Sequence, residues 1–371
     1  MGNGALRRWG VMATIICLMV ATLLGLQAAD ASALSYVTNS GSASVSVIDT
    51  ATHSVLTTIS VGPTPEQIAV TPNGAFAYVA NSGSNTVSVI ATATNTVTTT
   101  IPVGSNPVGI AITPNGAFAY VTNQGSNTVS VIATATNTVT TTIPVGSSPA
   151  GIAITPNGAF AYVANFGSNT VSVIATATNT VTTTIPVGSS PAGIAITPNG
   201  AFAYVANFGS NTVSVIATAT NTVTTTIPVG SSPAGIAITP NGAFAYVANF
   251  VSDNVSVIAT ATNTVTTTIP VGQRPDFLAA SPDGLSVYVP NQGSNTVSVI
   301  ATATNSVVGS PIVVGTAPTG VAFNSANVSG VPTLSDGALS LFLAAMAAAL
   351  ALRISGRRIL IRHRRRPPTV R

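Results

Sequence analysis

Between residues 34 and 330 the chain carries one histidine, five carboxylates and one arginine: His53; Asp49, Glu66, Asp253, Asp276 and Asp283; and Arg274. Hydrolytic chemistry needs an acid, a base or a nucleophile gathered at one point, so these residues are the whole ionisable stock from which such a site can be drawn. His53 follows Asp49 closely enough to suggest a general base and its orienting partner, but no nucleophile or second carboxylate stands nearby in sequence, and a solvated turn histidine is the simpler reading. A metal-dependent hydrolase would need several Asp, Glu, Asn or His side chains aimed at one point, and the stock is thin for that. The stretch contains no Trp, Met, Cys or Lys, which excludes thiolate metal sites and cysteine catalysis there. No EF-hand run and no Gly-rich nucleotide loop occurs, and no cofactor is expected.

The basic balance is a property of the ends. The chain has a formal net charge of +4, yet every cationic side chain except Arg274 lies at Arg7 and Arg8 or at Arg353 and beyond. The middle of the chain is acidic, with no basic patch to neutralise phosphates, and a nucleic-acid partner is excluded.

The elements that must position these residues follow from an internal repeat. Tyr36, Tyr78, Tyr120, Tyr162, Tyr204, Tyr246 and Tyr288 recur at one constant interval, and residues 147–188 are identical to residues 189–230. Each unit holds four β-type runs separated by turn signals, for example 109–113, 117–123, 128–133 and 138–145. Thr-Pro-Asn-Gly between the first two runs favours a tight hairpin, because Pro presets φ and Asn-Gly accepts positive φ. Val129-Ser130-Val131-Ile132 alternates with the strand period, and Thr-Val-Thr-Thr-Thr-Ile is almost wholly β-branched. No run has a helical period. A four-stranded sheet of this size cannot bury both faces alone, so the copies must stack, and radial stacking gives an all-β, seven-bladed propeller of four-stranded antiparallel blades. The series opens on a second strand at Tyr36 and closes on a first strand at 319–324, so the N-terminal and C-terminal strands are expected to complete one blade and latch the ring. One extra residue near Gly309 predicts a β-bulge in an outer strand. A β-solenoid is the alternative.

Tyr-Val-Thr-Asn at 36–39 and 120–123, Tyr-Val-Ala-Asn in four other copies, the Val-Ser-Val-Ile that follows, and Gly-Ile-Ala-Ile-Thr-Pro-Asn-Gly together resemble the YVTN-family β-propeller repeat over residues 34–326. The resemblance implies a seven-bladed propeller of a secreted or surface-layer protein. It does not imply one activity, because propellers host many.

Within this scheme the turns between first and second strands and between third and fourth strands share one face of the disc, with Asp49, His53 and Asp283. The remaining loops share the other, with Glu66, Asp253, Arg274 and Asp276. The residue after Tyr-Val-x-Asn reads Ser40, Ser82, Gln124, Phe166, Phe208, Phe250 and Gln292, so three neighbouring blades present phenylalanine on that second face. Loops on a rigid scaffold are where binding residues sit, and Phe166, Phe208, Phe250, Glu66, Asp253, Arg274 and Asp276 make up the candidate binding face. Packing of the phenylalanines between blades is the alternative. The repeated Asn, from Asn39 to Asn291, is expected to be a turn residue whose side chain bonds the backbone.

The two ends read as processing and membrane segments. Arg7-Arg8, an apolar run to about Leu26 and Ala31-Ser32-Ala33 have the order of a signal peptide over residues 1–33, a signal helix cut after Ala33. Residues 331–371 hold Val331-Pro332-Thr333-Leu334-Ser335, an apolar run over 337–352 and an arginine-rich tail. Sixteen helical residues rise about 24 Å, which flanking residues and a snorkelling arginine could extend into a transmembrane helix. The order of motif, apolar helix and basic tail resembles the IPTL-type sorting signal, with Val331 where Ile is usual. That resemblance implies an exosortase-like sorting protease as partner. A plain C-terminal membrane anchor is the alternative.

The expectation from sequence is therefore an exported, non-enzymatic envelope module of structural or adhesive type, held at the membrane by its C-terminal helix and binding an envelope polysaccharide or protein. The alternative is a secreted propeller hydrolase of lactonase type.

Overall fold

The computed structural model describes residues 33–324, so the expected signal segment before Ala33 and the whole of 331–371, with the Val331 to Ser335 motif, lie outside the described residues. Among the described residues no helix is long and apolar enough to cross a membrane.

The described chain is a ring of seven antiparallel sheets. In a representative blade the strands run Pro149–Ile154, Phe160–Asn165, Thr170–Ala175 and Thr180–Pro186, from the axis outward, close to the bounds expected from the repeat. We number the blades in chain order from the one whose inner strand is Pro65–Val70, so that Pro149–Ile154 opens blade 3. Blade 7 is shared between the chain ends. Its inner strand, Pro318–Asn324, pairs antiparallel with Leu34–Asn39, and Ser44–Asp49 and Ser54–Ser60 complete it. The expected latch is the observed one.

The hairpins form for the reasons their sequences give. Asn157 Oδ1 accepts the Ala159 N–H at 3.0 Å and the Thr155 hydroxyl at 2.7 Å. Gly158 adopts φ +73°, a left-handed conformation that glycine enters without a steric clash. The extra residue of the last unit splits its outer strand into Ser306–Val307 and Ile312–Val313, both paired with Thr296–Ala301, with Gly309 at φ +68° between them.

The core lies between blades rather than within one. Tyr162, Val171, Val173 and Ile185 of blade 3 pack on Ile194, Ala203, Val205 and Ile216 of blade 4, and equivalent clusters recur around the ring. Full burial of each such Val, Ile or Tyr contributes about 1.5–3 kcal/mol, so every blade depends on its neighbour. At the axis the inner strands approach closely. A Cβ on Gly193 would stand 2.5 Å from the Ala234 carbonyl oxygen, and one on Gly151 would stand 2.4 Å from that of Ala192, so only glycine fits these positions.

The Asn after Tyr-Val corrects one expectation. Asn165 is fully buried, and its Nδ2 donates to Thr170 Oγ1 at 3.1 Å and Ser172 Oγ at 2.9 Å, tying second strand to third by side chains rather than capping backbone. The strand ends on this residue, so the strand period turns its side chain into the blade instead of into the turn.

Candidate active site at the mouth of the axial channel

The two loop sets expected on one face are joined there directly. Phe166 N–H donates to the Ser148 carbonyl at 3.0 Å, and Ser82 N–H to that of Thr64 at 3.0 Å, so in each blade the loop after the second strand rests on the loop entering the inner strand. The inner strands then descend from this face along a narrow axial channel. Its cavity of about 100 Å³ is lined by Gln67, Ile68, glycines, isoleucines, Phe277 and Leu278.

Each inner strand is entered through a proline, and the residue after it differs around the ring. It is Glu66 in blade 1, Val108, Ala150, Ala192 and Ala234 in blades 2 to 5, Asp276 in blade 6 and Thr319 in blade 7. Ring closure sets blade 7 between blades 6 and 1, so Asp276 and Glu66 flank Thr319 at the channel mouth although they belong to opposite ends of the repeat series. The Thr319 hydroxyl donates to the carbonyl oxygens of Pro65 at 3.0 Å and Glu66 at 3.1 Å and stands 3.0 Å from the Thr38 hydroxyl, which itself bonds the Glu66 carbonyl and accepts the Gly320 N–H at 2.8 Å. Two buried hydroxyls thus fix the backbone that carries Glu66.

Burial acts on both carboxyls, and Asp276 also feels the charge of Glu66. Burial pushes Glu66 up to about 7, partly offset by a 3.3 Å hydrogen bond from the Ser82 hydroxyl. Asp276 is raised well above the ordinary carboxylate range, first by burial and then by the charge of Glu66, against a backbone hydrogen bond at Phe277. A carboxyl poised near neutrality beside one that resists ionising is the arrangement acid–base chemistry uses. The next residue departs from the repeat as well: where blades 2 to 5 and 7 carry glycine, blade 1 has Gln67 and blade 6 has Phe277.

The other expected face residues divide. Phe166 and Phe208 meet at 6.0 Å between ring centroids, Phe208 and Phe250 at 6.1 Å, and the Arg274 guanidinium lies 5.9 Å from the Phe250 centroid. Each phenylalanine is half-buried. Asp253 is structural: its Oδ1 accepts the Arg274 N–H at 2.8 Å, as Asn211 does for Ser232 at the same distance.

On the opposite face Asp49 and His53 do not form a catalytic pair. Asp49 Oδ1 accepts the N–H groups of Ala51 at 2.8 Å and Thr52 at 3.0 Å, which fixes a turn, and His53 packs edge-on against Tyr288 at 6.0 Å. Among the described residues no three His, Cys, Asp or Glu side chains gather where they could hold a metal ion.

Sequence reasoning placed Glu66 and Asp276 on this face but missed Gln67, Phe277, Thr319 and Thr38. For Gln67, Phe277 and Thr319 the signal was available: Pro-Ala-Gly-Ile opens the inner run of blades 3 to 5 and is broken in the other four.

With this geometry the known proteins can be compared. The family described as "Lactonase, 7-bladed beta-propeller" matches residues 31–144, 133–227 and 217–311. The chain belongs to this lactonase family. Membership overturns the expected non-enzymatic structural or adhesive module, and with it the expectation that the protein is no enzyme, because the family points to hydrolase chemistry. Hydrazine synthase of Kuenenia stuttgartiensis is similar at 27% identity and a TM-score of 0.66, over 72% of this chain and 92% of that one. A protein of unknown function from Desulfotomaculum acetoxidans is similar at 21% identity and a TM-score of 0.70, over 79% of this chain and 99% of that one. A putative 6-phosphogluconolactonase from Bacteroides uniformis is similar at 18% identity and a TM-score of 0.68, over 78% of this chain and 99% of that one. The last two likenesses speak to the fold. No curated protein matches significantly.

Proposed function

We propose that this propeller is a hydrolase that opens lactones at the mouth of its axial channel, with Glu66 and Asp276 as the reacting acid–base pair. The observation that carries the reading is the pair itself, two carboxyls that each follow the entry proline of the blades either side of blade 7, in a chain of the lactonase family. Glu66, the more accessible of the two, takes a proton from a water that attacks the ring carbonyl. The ring C–O bond breaks as the new C–O bond is completed, and the departing alkoxide is protonated from Asp276. Glu66 and Asp276 then exchange the proton through solvent at the mouth, and the product is a hydroxy acid. Ordinary ligand pockets enclose roughly 300 Å³ or more. The channel cavity is smaller than that, so the substrate sits over the mouth.

The test is hydrolysis of a panel of γ- and δ-lactones followed by pH-stat. Glu66→Gln should lower kcat by roughly a hundredfold or more, and kcat/KM of the native chain should rise with pH through about 7, where Glu66 ionises. Asp49→Asn and His53→Asn should leave the rate unchanged. A rate that survives Glu66→Gln but falls with either of those two would move the site to the other face.

The termini support export as part of this reading: the signal-like residues 1–33 and the sorting-like segment 331–371 would deliver the propeller across the membrane and retain it at the envelope until a sorting protease acts. Cell fractionation with and without residues 331–371 tests retention.

A further inference from the structure

The face that carries the carboxyl pair is the one on which the blades differ, and the differences fall in an order. Blades 3, 4 and 5 contribute Phe166, Phe208 and Phe250, blade 6 contributes Arg274 and Asp276, and blade 1 contributes Glu66. Because neighbouring blades are neighbours in space, these residues form one continuous arc. Three half-buried rings run in series with centroid spacings of 6.0 and 6.1 Å; the guanidinium closes their end at 5.9 Å, and the carboxyl pair follows from Asp276 onward.

Each ring is tilted against the next by 51° or 52°, so no two stack flat and each leaves part of a face open. The rings are not required for packing at their positions, because Ser40 and Ser82 hold the equivalent places in blades 7 and 1. The Ser82 N–H makes the same 3.0 Å bond to the loop beside it as the Phe166 N–H does. An apolar shelf that the scaffold does not need, ending at an acid–base pair, has the form of a substrate subsite.

Charge decides what kind of substrate. Arg274 is the only Lys or Arg among the described residues, and its guanidinium is directed to the Phe250 ring. Two carboxyls occupy the mouth. A phosphorylated lactone would bring a dianion against them with one engaged cation to receive it, whereas a neutral lactone meets no such repulsion. We propose that the Phe166–Phe208–Phe250 arc is the specificity subsite for the apolar chain of a neutral alkyl- or acyl-substituted lactone, with Arg274 as its inner edge. At about 1.25 Å of extended chain per methylene, from ordinary bond lengths, the two centroid spacings laid end to end accommodate about ten methylenes.

The inference rests on the hydrolase reading for the word lactone, so its test separates the two. The full chain is assayed with lactones of one ring size and increasing alkyl chain, and in parallel by calorimetry with the corresponding lactams, which resist hydrolysis. Affinity for the lactams, and kcat/KM for the lactones, should rise roughly twofold per methylene, half of what complete burial gives, and level off beyond the arc's length. Phe166→Ser, Phe208→Ser and Phe250→Ser together should abolish that slope for the lactams and the lactones alike. These are residues the same site already accepts in two blades, and an unchanged melting temperature checks folding. Phe208→Leu, which stays apolar, should keep most of the slope. Lactam binding with the slope but no hydrolysis of any lactone would leave the arc standing and remove the hydrolase reading. Lactam affinity independent of chain length, a slope that survives the triple substitution, or a phosphorylated lactone preferred over every alkyl lactone would overturn the proposal.

Discussion

Glu66 shows at the level of one residue how this protein trades stability for a reactive group. Burial raises its pKa from 4.5 to about 7 in the folded chain, so between those values the folded state holds a proton that the unfolded state has released. For a carboxyl displaced in this direction the sign is the reverse of the usual ion-paired case. No penalty exists below about pH 4.5, where both states are protonated; the penalty grows as pH rises through the window and is complete above about 7. Asp276 contributes with the same sign. Thermal melts should therefore show the native chain losing stability as pH rises from about 5 to about 8, and Glu66→Gln, which cannot ionise, should lose less. A variant whose melting temperature follows the native pH dependence would mean that Glu66 is not buried as described. The sequence could name this residue, since it is one of five carboxylates in the repeat region, but not its pKa, which comes from burial that only the packed fold imposes, partly offset by the Ser82 hydroxyl.

Among the elements, the repeated tie between blades is a tyrosine that reaches the next blade's outer hairpin. Tyr78 Oη donates to Asn137 Oδ1 at 2.6 Å, and five further pairs repeat it, from Tyr36 with Asn95 to Tyr246 with Asn305. The seventh falls at the latch, where His53 occupies the asparagine's place, and the Tyr288 hydroxyl is buried without a hydrogen-bond partner. Burial, with the charges of Asp283 and Asp49, pushes that hydroxyl's pKa up further than its counterparts. His53 also holds φ +53°, a conformation asparagine tolerates better. His53→Asn should restore the bond and stabilise the fold by about 1–2 kcal/mol, which raises the melting temperature by roughly 2–6 °C. An unchanged melting temperature would show that Tyr288 is already satisfied by water. The strands themselves were legible almost to their ends, because a strictly repeated period leaves little freedom. The role of Asn165 and its counterparts was not, since a residue at the last step of a strand can face either the turn or the sheet, and only the packed neighbour, the glycine that follows Pro-Val, decides it.

Considered as a whole, the molecule is a closed cycle in which no blade is complete by itself, so its cooperativity depends on one short strand. Pro318–Asn324 supplies the inner strand of blade 7, and its Thr319 and Gly320 carry the hydroxyl and backbone contacts that hold Thr38 and Glu66. Val321 packs in the cluster that joins Tyr288 and Val297 of blade 6 to Val37 and Ile48 of blade 7. Removing this strand strips the mouth of Thr319 and leaves Leu34–Asn39 as a new unpaired edge, and an open row of blades unfolds in parts rather than as a unit. Two truncated chains, ending at residue 328 and at residue 317, isolate its contribution. The longer should melt in one transition and retain lactone hydrolysis. The shorter should melt earlier and over a broader range, and lose hydrolysis even where its remaining blades stay folded, because Glu66 has lost the contacts that fix it opposite Asp276. Equal activity in the two chains would show that the carboxyl pair does not need the latch, and would detach the chemistry from the closure that brings Glu66 and Asp276 together.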